Sequence, residues 1–259
     1  MILKRIVLIG SGNLAEAVAP ALKRVGLIQI FARNAARAEA IARCNGVAWG
    51  SRPEELAEAD LYLIAVVDRA VTEVARTLPI PRGAVVAHTA GSVGLQALPE
   101  EFPRRASFYP FQSFSRGREV DFSEIPIFLE ASDAATFEAV REVAEAISGR
   151  VYEADSERRR LIHLAGVFAN NFSNAMYTLG ERIAERAGLD FDVLRALIAE
   201  TALKAVAAEH PRDVQTGPAV RGDKNVQQAH LELLAGDEEM QQIYKLISKT
   251  IWETSKRTS

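Results

Sequence analysis

One cysteine, Cys44, is all that the sequence contains. A single thiol excludes an intramolecular disulfide framework and fits a reducing compartment. Between Arg43 and Asn45, in a helical stretch, it reads as a small packing residue rather than a nucleophile. No apolar run reaches membrane-spanning length. The N-terminal residues pass directly into a strand-like segment, without the apolar region of a signal peptide. The expectation is a cytoplasmic enzyme or binding protein. Basic residues are not in excess: a formal net charge of −3 gives no electrostatic footprint for nucleic acid. An anionic cofactor is not excluded, because local dipoles and single arginines can bind phosphates. Internal repeats and low-complexity tracts are also missing, and no metal site stands out. What is present is a chain of 259 residues, 48% hydrophobic, enough for one large domain or two modest ones with a real core.

The chain is organised around its first stretch. Ile6-Val7-Leu8-Ile9 reads as a short buried strand, followed at once by Gly10-Ser11-Gly12-Asn13-Leu14-Ala15. A helical pattern then places Leu14, Val18, Ala21, Leu22 and Val25 on one face. Strand, glycine turn and helix give a GxGxxA motif its meaning. Gly10 permits the tight turn, Gly12 lets the backbone approach a pyrophosphate, and Ala15 allows close helix–strand packing. The free N–H groups at the helix start favour phosphate. Pro20 falls inside this helix and is expected to kink or loosen it.

The end of the second strand, Leu27 to Ala32, normally selects the dinucleotide. An acid there binds ribose hydroxyls and favours NAD. Here the residues are Phe31-Ala32-Arg33-Asn34, then Arg37, and no carboxylate occurs before Glu39. The planar fork of Arg33 suits a 2′-phosphate, which favours NADP over NAD. The other reading of Arg33 and Arg37 is an exposed helix-start face.

Alternation continues. Ala35 to Cys44 reads as helix, Gly46 to Gly50 as a short strand, and Pro53 opens another helix that Asp60 ends. Leu61 to Val67 has the uninterrupted apolar run of a central parallel strand, and Asp68 is the expected N-cap of the next helix. Ala84 to His88 is a further strand, running into Thr89-Ala90-Gly91-Ser92. Ligands bind outside the carboxyl ends of parallel strands. The Val67–Asp68 and His88–Ser92 loops should therefore border the nicotinamide end. Ser107-Phe108-Tyr109-Pro110-Phe111-Gln112-Ser113-Phe114 reads either as a turn beside a substrate cleft or as aromatic core packing. Pro126 to Glu130 looks like a late strand, Ala134 to Ile147 like a helix, and Val151-Tyr152 like a last short strand. From about Ser156 the alternation stops. Glu157 to Ala187, Phe191 to Glu209, Asp223 to Leu234 and Asp237 to Trp252 read as helices, and Thr254 to Ser259 as a frayed polar end. The fold class is α/β: a Rossmann-like parallel-sheet domain over residues 1–153, then an all-helical domain over 154–259.

The segment Ile9-Gly10-Ser11-Gly12-Asn13-Leu14-Ala15-Glu16-Ala17 resembles the opening of pyrroline-5-carboxylate reductases and of F420-dependent NADP oxidoreductase-like proteins. His163-Leu164-Ala165-Gly166-Val167-Phe168-Ala169-Asn170-Asn171-Phe172 and Thr216-Gly217-Pro218-Ala219-Val220-Arg221-Gly222-Asp223, with His230-Leu231, resemble a family that pairs a Rossmann-like domain with a helical domain of unknown function, DUF2520. The likeness covers nearly the whole chain. It implies an NADP-binding two-domain fold, dimeric through the helical domain, and supplies no substrate. 3-Hydroxyacid dehydrogenases carry a catalytic lysine on the long interdomain helix, with an asparagine one turn later. No lysine lies between Ala154 and Gly188 here. His163 occupies a comparable place, and Asn170 or Asn171 lies two turns on.

Hydride transfer to a carbonyl or imine needs an oriented nicotinamide and a proton donor or cation near the acceptor. His163 is the first candidate, since histidine titrates near neutral pH. Seven residues return to nearly the same helix face, so Asn170 is expected to point with His163, and Asn171 to be displaced but within reach. Alternatively, His163 serves only a hydrogen-bond network between domains. Arg221 can hold a substrate carboxylate or phosphate. Asp223 is the expected N-cap of the next helix, and Arg221–Asp223–His230 a polar network positioning the loop. The sequence thus points to an NADP-dependent oxidoreductase acting on a C=O or C=N bond of a small anionic substrate. The cofactor set is Gly10 to Ala15, Arg33, Asn34, Val67 and Asp68. A non-catalytic NADP-binding or regulatory protein, and an enzyme using F420 as redox partner, remain the rival readings.

Overall fold

The computed structural model describes residues 3–256. It divides into two compact units, one ending at Asn171 and the other starting at Phe172. The sheet itself ends at Glu153, ahead of that division. The helix that follows groups with the sheet.

The first unit alternates strand and helix: β1 (Ile6–Ile9), α1 (Asn13–Lys23), β2 (Leu27–Phe31), α2 (Ala35–Asn45), β3 (Ala48–Gly50), β4 (Leu61–Ile64), α3 (Val71–Thr77), β5 (Val85–His88), β6 (Arg105–Pro110), β7 (Ile127–Ala131), α4 (Ala134–Glu145), β8 (Val151–Glu153) and α5 (Ser156–Gly166). The eight strands form one sheet in the order β3-β2-β1-β4-β5-β6-β7-β8. β1 to β6 are parallel, while β7 pairs with β6 antiparallel and β8 with β7 parallel. The strand order reverses direction between β1 and β4, which makes their carboxyl ends the ligand-binding crevice of a doubly wound sheet. β1 and β4 are buried throughout, as their uninterrupted apolar sequences require, and β5 is buried up to and including its terminal His88. One core layer packs α1, α2 and α4 on the sheet through residues such as Val18, Leu22, Ile41 and Val140. The opposite face packs α3 and residues 95–102 through Val71, Ala75, Leu98 and Phe102.

Several local expectations change. α1 runs unbroken through Pro20, which lies on its exposed side, where the carbonyl left without an N–H partner can meet water. The helix expected after Pro53 is a single 3-10 turn, Pro53–Glu55. Side chains capture the following backbone instead: Gln29 bonds Glu55 O and Ala57 N, and the Tyr62 hydroxyl bonds Ala57 O and Ala59 N. Asp60 accepts from the Lys4 and Arg5 amides. Asp68 is not a helix cap. It starts a 3-10 turn, Asp68–Ala70, and its carboxylate accepts from Ser92 Oγ. Of the aromatic stretch Ser107 to Phe114, the first part lies in the sixth strand, where Phe108 is fully buried in the core as aromatic packing requires.

The second unit comprises α6 (Ser173–Arg186), α7 (Asp192–Ala207), α8 (Lys224–Leu233) and α9 (Glu238–Lys256). Thr254 to Lys256 belong to α9, and the rest of the expected frayed end lies outside the described residues. Asp237 accepts from Arg182 and Arg186 of α6 and caps α9 at Met240 N. Among the described residues, no helix is long and apolar enough to cross a membrane.

Candidate functional site

The loop between β1 and α1 is shaped for a bound phosphate. Gly10 has φ +138°, and a Cβ placed on it would sit 2.1 Å from the carbonyl oxygen of Ala65. No L side chain fits there. Gly12 is the opposite case: a Cβ would meet nothing within 4 Å. Its bare backbone faces open space at the start of α1, where no side chain caps the helix. The first-turn amides are therefore available to an anion. Ala15 is fully buried behind them, as close helix packing demands.

A cavity of about 490 Å³ opens from this loop. Gly10, Ser11, Gly12, Asn13 and Leu14 form one wall, Arg33 and Asn34 at the end of β2 another, and Val67 after β4 a third. Arg33 is exposed and has no ion-pair partner among the described residues. Arg37, by contrast, is bound to Glu16 at 2.8 Å and reaches Ser11 O at 3.4 Å. Asn34 caps α2 by accepting from Arg37 N, so its oxygen is committed. Asn13 donates to Phe114 O and pins the loop after β6 to the start of α1. Asp68 does not line this cavity. A glycine cradle, open helix amides and an unpaired arginine at the end of β2 fit an NADP molecule.

A second cluster lies at the carboxyl ends of β5 and β6. Tyr109 stands two residues beyond Ser107, the partner of His88 across the β5–β6 ladder. Its hydroxyl is 3.0 Å from His163 Nδ1. Gly91 packs on this pair so closely that a Cβ would lie 2.5 Å from Tyr109 Cζ and 2.8 Å from His163 Nδ1. Gly91 has no positive φ, so the requirement is space alone. Burial pushes the Tyr109 phenol up to about 12; the charge of Asp68 adds to the rise and Arg159 opposes it. Phe111 and Phe128 lie beside Tyr109, with ring centroids 6.1 and 6.5 Å from it.

Arg159 fixes the helix that carries His163. Its side chain is fully buried and donates to Glu130 at 2.5 Å and to Val93 O at 2.6 Å. Ser156 Oγ donates to Glu130 and accepts from Leu95 N. The loop after β5 is thereby tied to the first turn of α5. Beneath it His88 is completely buried. Desolvation, aided by the nearby Arg159 charge, pulls its imidazole down to about 3. It is a neutral structural residue.

The asparagines behave differently from a regular helix. Residues Val167–Phe172 form a π-helix between α5 and α6. A π turn holds more residues than an α turn, so the phase slips along it. Asn170 therefore falls short of the His163 face, and Asn171 comes nearer to it. Both side chains are exposed. In the second unit, Asp223 caps α8 by accepting from Val226 N, as expected. His230 does not join Asp223; its Nδ1 is 2.9 Å from the Tyr244 hydroxyl. Arg221 is exposed beside them without an ion pair among the described residues. Sequence reasoning missed Tyr109 as the partner of His163, and it missed Arg159; Gly91 it placed in the loop expected to border the nicotinamide, without its contact to this pair. Arg159, His163 and Gly166 share one α-helical face, a spacing that was readable.

This sheet order and glycine turn are those of the doubly wound, Rossmann-like class. Residues 5–91 match the family model described as NADP oxidoreductase, coenzyme F420-dependent, and residues 125–251 match the domain of unknown function DUF2520. A Bacteroides fragilis protein provisionally described as an NADP oxidoreductase is similar at 40% identity, with 96% of this chain and 98% of that one covered and a TM-score of 0.87. The chain belongs to this two-part NADP oxidoreductase family. A Thermotoga maritima protein is similar at 26% identity, covering 98% and 99% of the two chains, with a TM-score of 0.78. An imine reductase from Myxococcus stipitatus, solved with NADP+, shares the fold at 17% identity, covering 98% and 93%, with a TM-score of 0.64. No match is found among curated proteins.

Proposed function

We propose that the protein catalyses NADP-dependent reduction of a polarised C=O or C=N bond in a small substrate. The observation that carries this reading is the Tyr109–His163 pair at the same edge of the sheet as the nucleotide cradle. NADPH, when bound, supplies the hydride. Gly10 to Leu14 hold the pyrophosphate through backbone amides, and Arg33 pairs with the 2′-phosphate. His163 is assigned as proton donor to the reduced heteroatom, within hydrogen-bond distance of the Tyr109 hydroxyl. Asn170 and Asn171 are assigned to substrate orientation. The imine reductase of the same fold supports the C=N half of this reading.

Fluorescence titration with NADPH and NADH side by side tests it. NADPH should bind at least tenfold tighter, and Arg33→Ala should erase most of that preference. Equal weakening of both nucleotides would remove the 2′-phosphate assignment, and binding of neither would leave a fold that has lost its cofactor. The F420 name of the matching N-terminal family favours one second reading, with a deazaflavin as redox partner. A visible absorbance change on mixing F420, NADPH and protein would establish it.

A further inference from the structure

The cavity that opens from the glycine turn has a wall of its own beyond Val67. It is made by α3 and the residues flanking it: Ala70, Glu73, Val74, Thr77 and Leu78. Ala70, Val74 and Leu78 recur at four-residue spacing and form one apolar stripe. Glu73 stands at the edge of that stripe, beside Val74. Among the described residues, Arg33 and Glu73 are the charged ones that line the cavity, and neither makes an ion pair, with the other or elsewhere. Three polar neighbours in the lining are already spent on the protein's own backbone. Asn34 Oδ1 accepts from Arg37 N, Asn13 Nδ2 donates to Phe114 O, and Thr77 Oγ1 donates to Glu73 O. The Glu73 carboxylate is left as a free acceptor in this wall.

We infer that Glu73 reads the base of the nucleotide: its carboxylate accepts a hydrogen bond from the 6-amino group of adenine and so selects a 6-amino purine over a 6-oxo purine. The inference rests on the NADP reading above and deepens it. A bare carboxylate in a cavity that takes phosphates is a cost, because like charges repel. It becomes a gain only where it meets a hydrogen-bond donor. In that reading the pyrophosphate lies on Gly10 to Leu14 and the 2′-phosphate on Arg33. The adenine is bonded to the same ribose as the 2′-phosphate, and the wall that remains for it is α3. The flat apolar faces of the ring suit the Ala70–Val74–Leu78 stripe, and the one N–H donor of the ring is the 6-amino group. The ribose 3′-hydroxyl is the other donor near Arg33, and it is the same whichever purine is attached.

The test titrates the full-length protein with NADPH and with its hypoxanthine analogue, followed by nucleotide fluorescence. The analogue carries a carbonyl oxygen where adenine carries the amine, so two acceptors would face each other. NADPH should bind at least about tenfold more tightly. Glu73→Gln, whose amide can turn to offer either an acceptor or a donor, should bring the two affinities together by tightening the analogue. A variant that merely disturbed the fold would weaken both. A preference below tenfold in the wild type, or one that persists in Glu73→Gln, overturns the inference. Tighter binding of the analogue overturns it too, since a carboxylate at the N1 edge would accept from the N1–H of hypoxanthine. Equal, measurable binding of both nucleotides leaves the NADP reading standing and removes this inference alone. Binding of neither removes the NADP reading, and the inference with it.

Discussion

The guanidinium of Arg159, fully buried, meets the Glu130 carboxylate at 2.5 Å. One side of the pair is the first turn of α5 and the other is β7. The same guanidinium holds Val93 O in the loop after β5. Removing one partner of a buried pair leaves an uncompensated charge, a cost of about 3–5 kcal/mol. Arg159→Ala should lower the unfolding free energy by that order in urea titration. The double variant Arg159→Met with Glu130→Leu should recover much of the loss, because two apolar groups leave no charge behind. A single variant with near-wild-type stability would show that the pair does not organise this junction.

Gly91 is the second position where a small change should have a large local effect. A β-carbon added there would collide with Tyr109 and His163. Overpacking of this kind costs about 1–3 kcal/mol. Gly91→Ala should separate the two side chains, seen as a change in the His163 ring signals by NMR, while NADPH binding, proposed to rest on Gly10 to Leu14, should change much less. Unaltered His163 signals would mean that the contact relaxes elsewhere.

His88 predicts a pH dependence of stability with a definite sign. Its folded-state value is about 3, far below the ordinary histidine value of 6.5. Between those limits the unfolded chain binds the extra proton. Stability from this residue is therefore complete above about pH 6.5 and falls as the pH drops toward 3, at up to ~1.4 kcal/mol per unit. His88→Asn should flatten that slope between pH 6.5 and 4.5 in paired urea titrations with the wild type. Parallel slopes would place the acid sensitivity in other groups.

The glycine turn was legible because its geometry is local: six consecutive residues, Gly10 to Ala15, hold both the turn and the first amides of α1. Tyr109 was not legible as the partner of His163. The two are 54 positions apart and meet only because β6 pairs beside β5 and α5 is anchored by Arg159. The Ser107 to Phe114 stretch was ambiguous because buried aromatic strands and aromatic clefts share a composition. The helix expected after Pro53 was read from its start alone: Glu55 does accept from the amides of Ser51 and Arg52, as a helix start requires, but the distant Gln29 and the Tyr62 hydroxyl take the backbone that follows. The π segment leaves no compositional mark, since Val167 to Phe172 suits an α-helix equally well.

The second unit predicts an assembly. α7 carries apolar residues on every side, and a helix of that kind is normally covered all round. Yet Val193, Leu197, Leu203 and Val206 are 51–86% exposed. Of the described residues from Phe172 onward, only Ala219, Leu234 and Met240 are buried apolar ones. A second copy of the chain, related by a two-fold axis, is the expected cover. Light scattering should give twice the mass of one chain, and Leu197→Glu should shift it toward the monomer. A wild type that is monomeric at working concentration would sink this expectation.

The antiparallel step between β6 and β7 is a matter of parity. One reversal sends β7 and β8 down the sheet, so the helix that follows must climb. Arg159, His163 and Gly166 accordingly rise along Val93, Tyr109 and Phe111. Had β7 joined β6 in parallel, the last strand would have delivered the chain to the ligand rim too early, and α5 would have descended from it. Its histidine would then sit at the far edge, away from Gly91. A single change of strand direction thus decides which end of the sheet receives the imidazole.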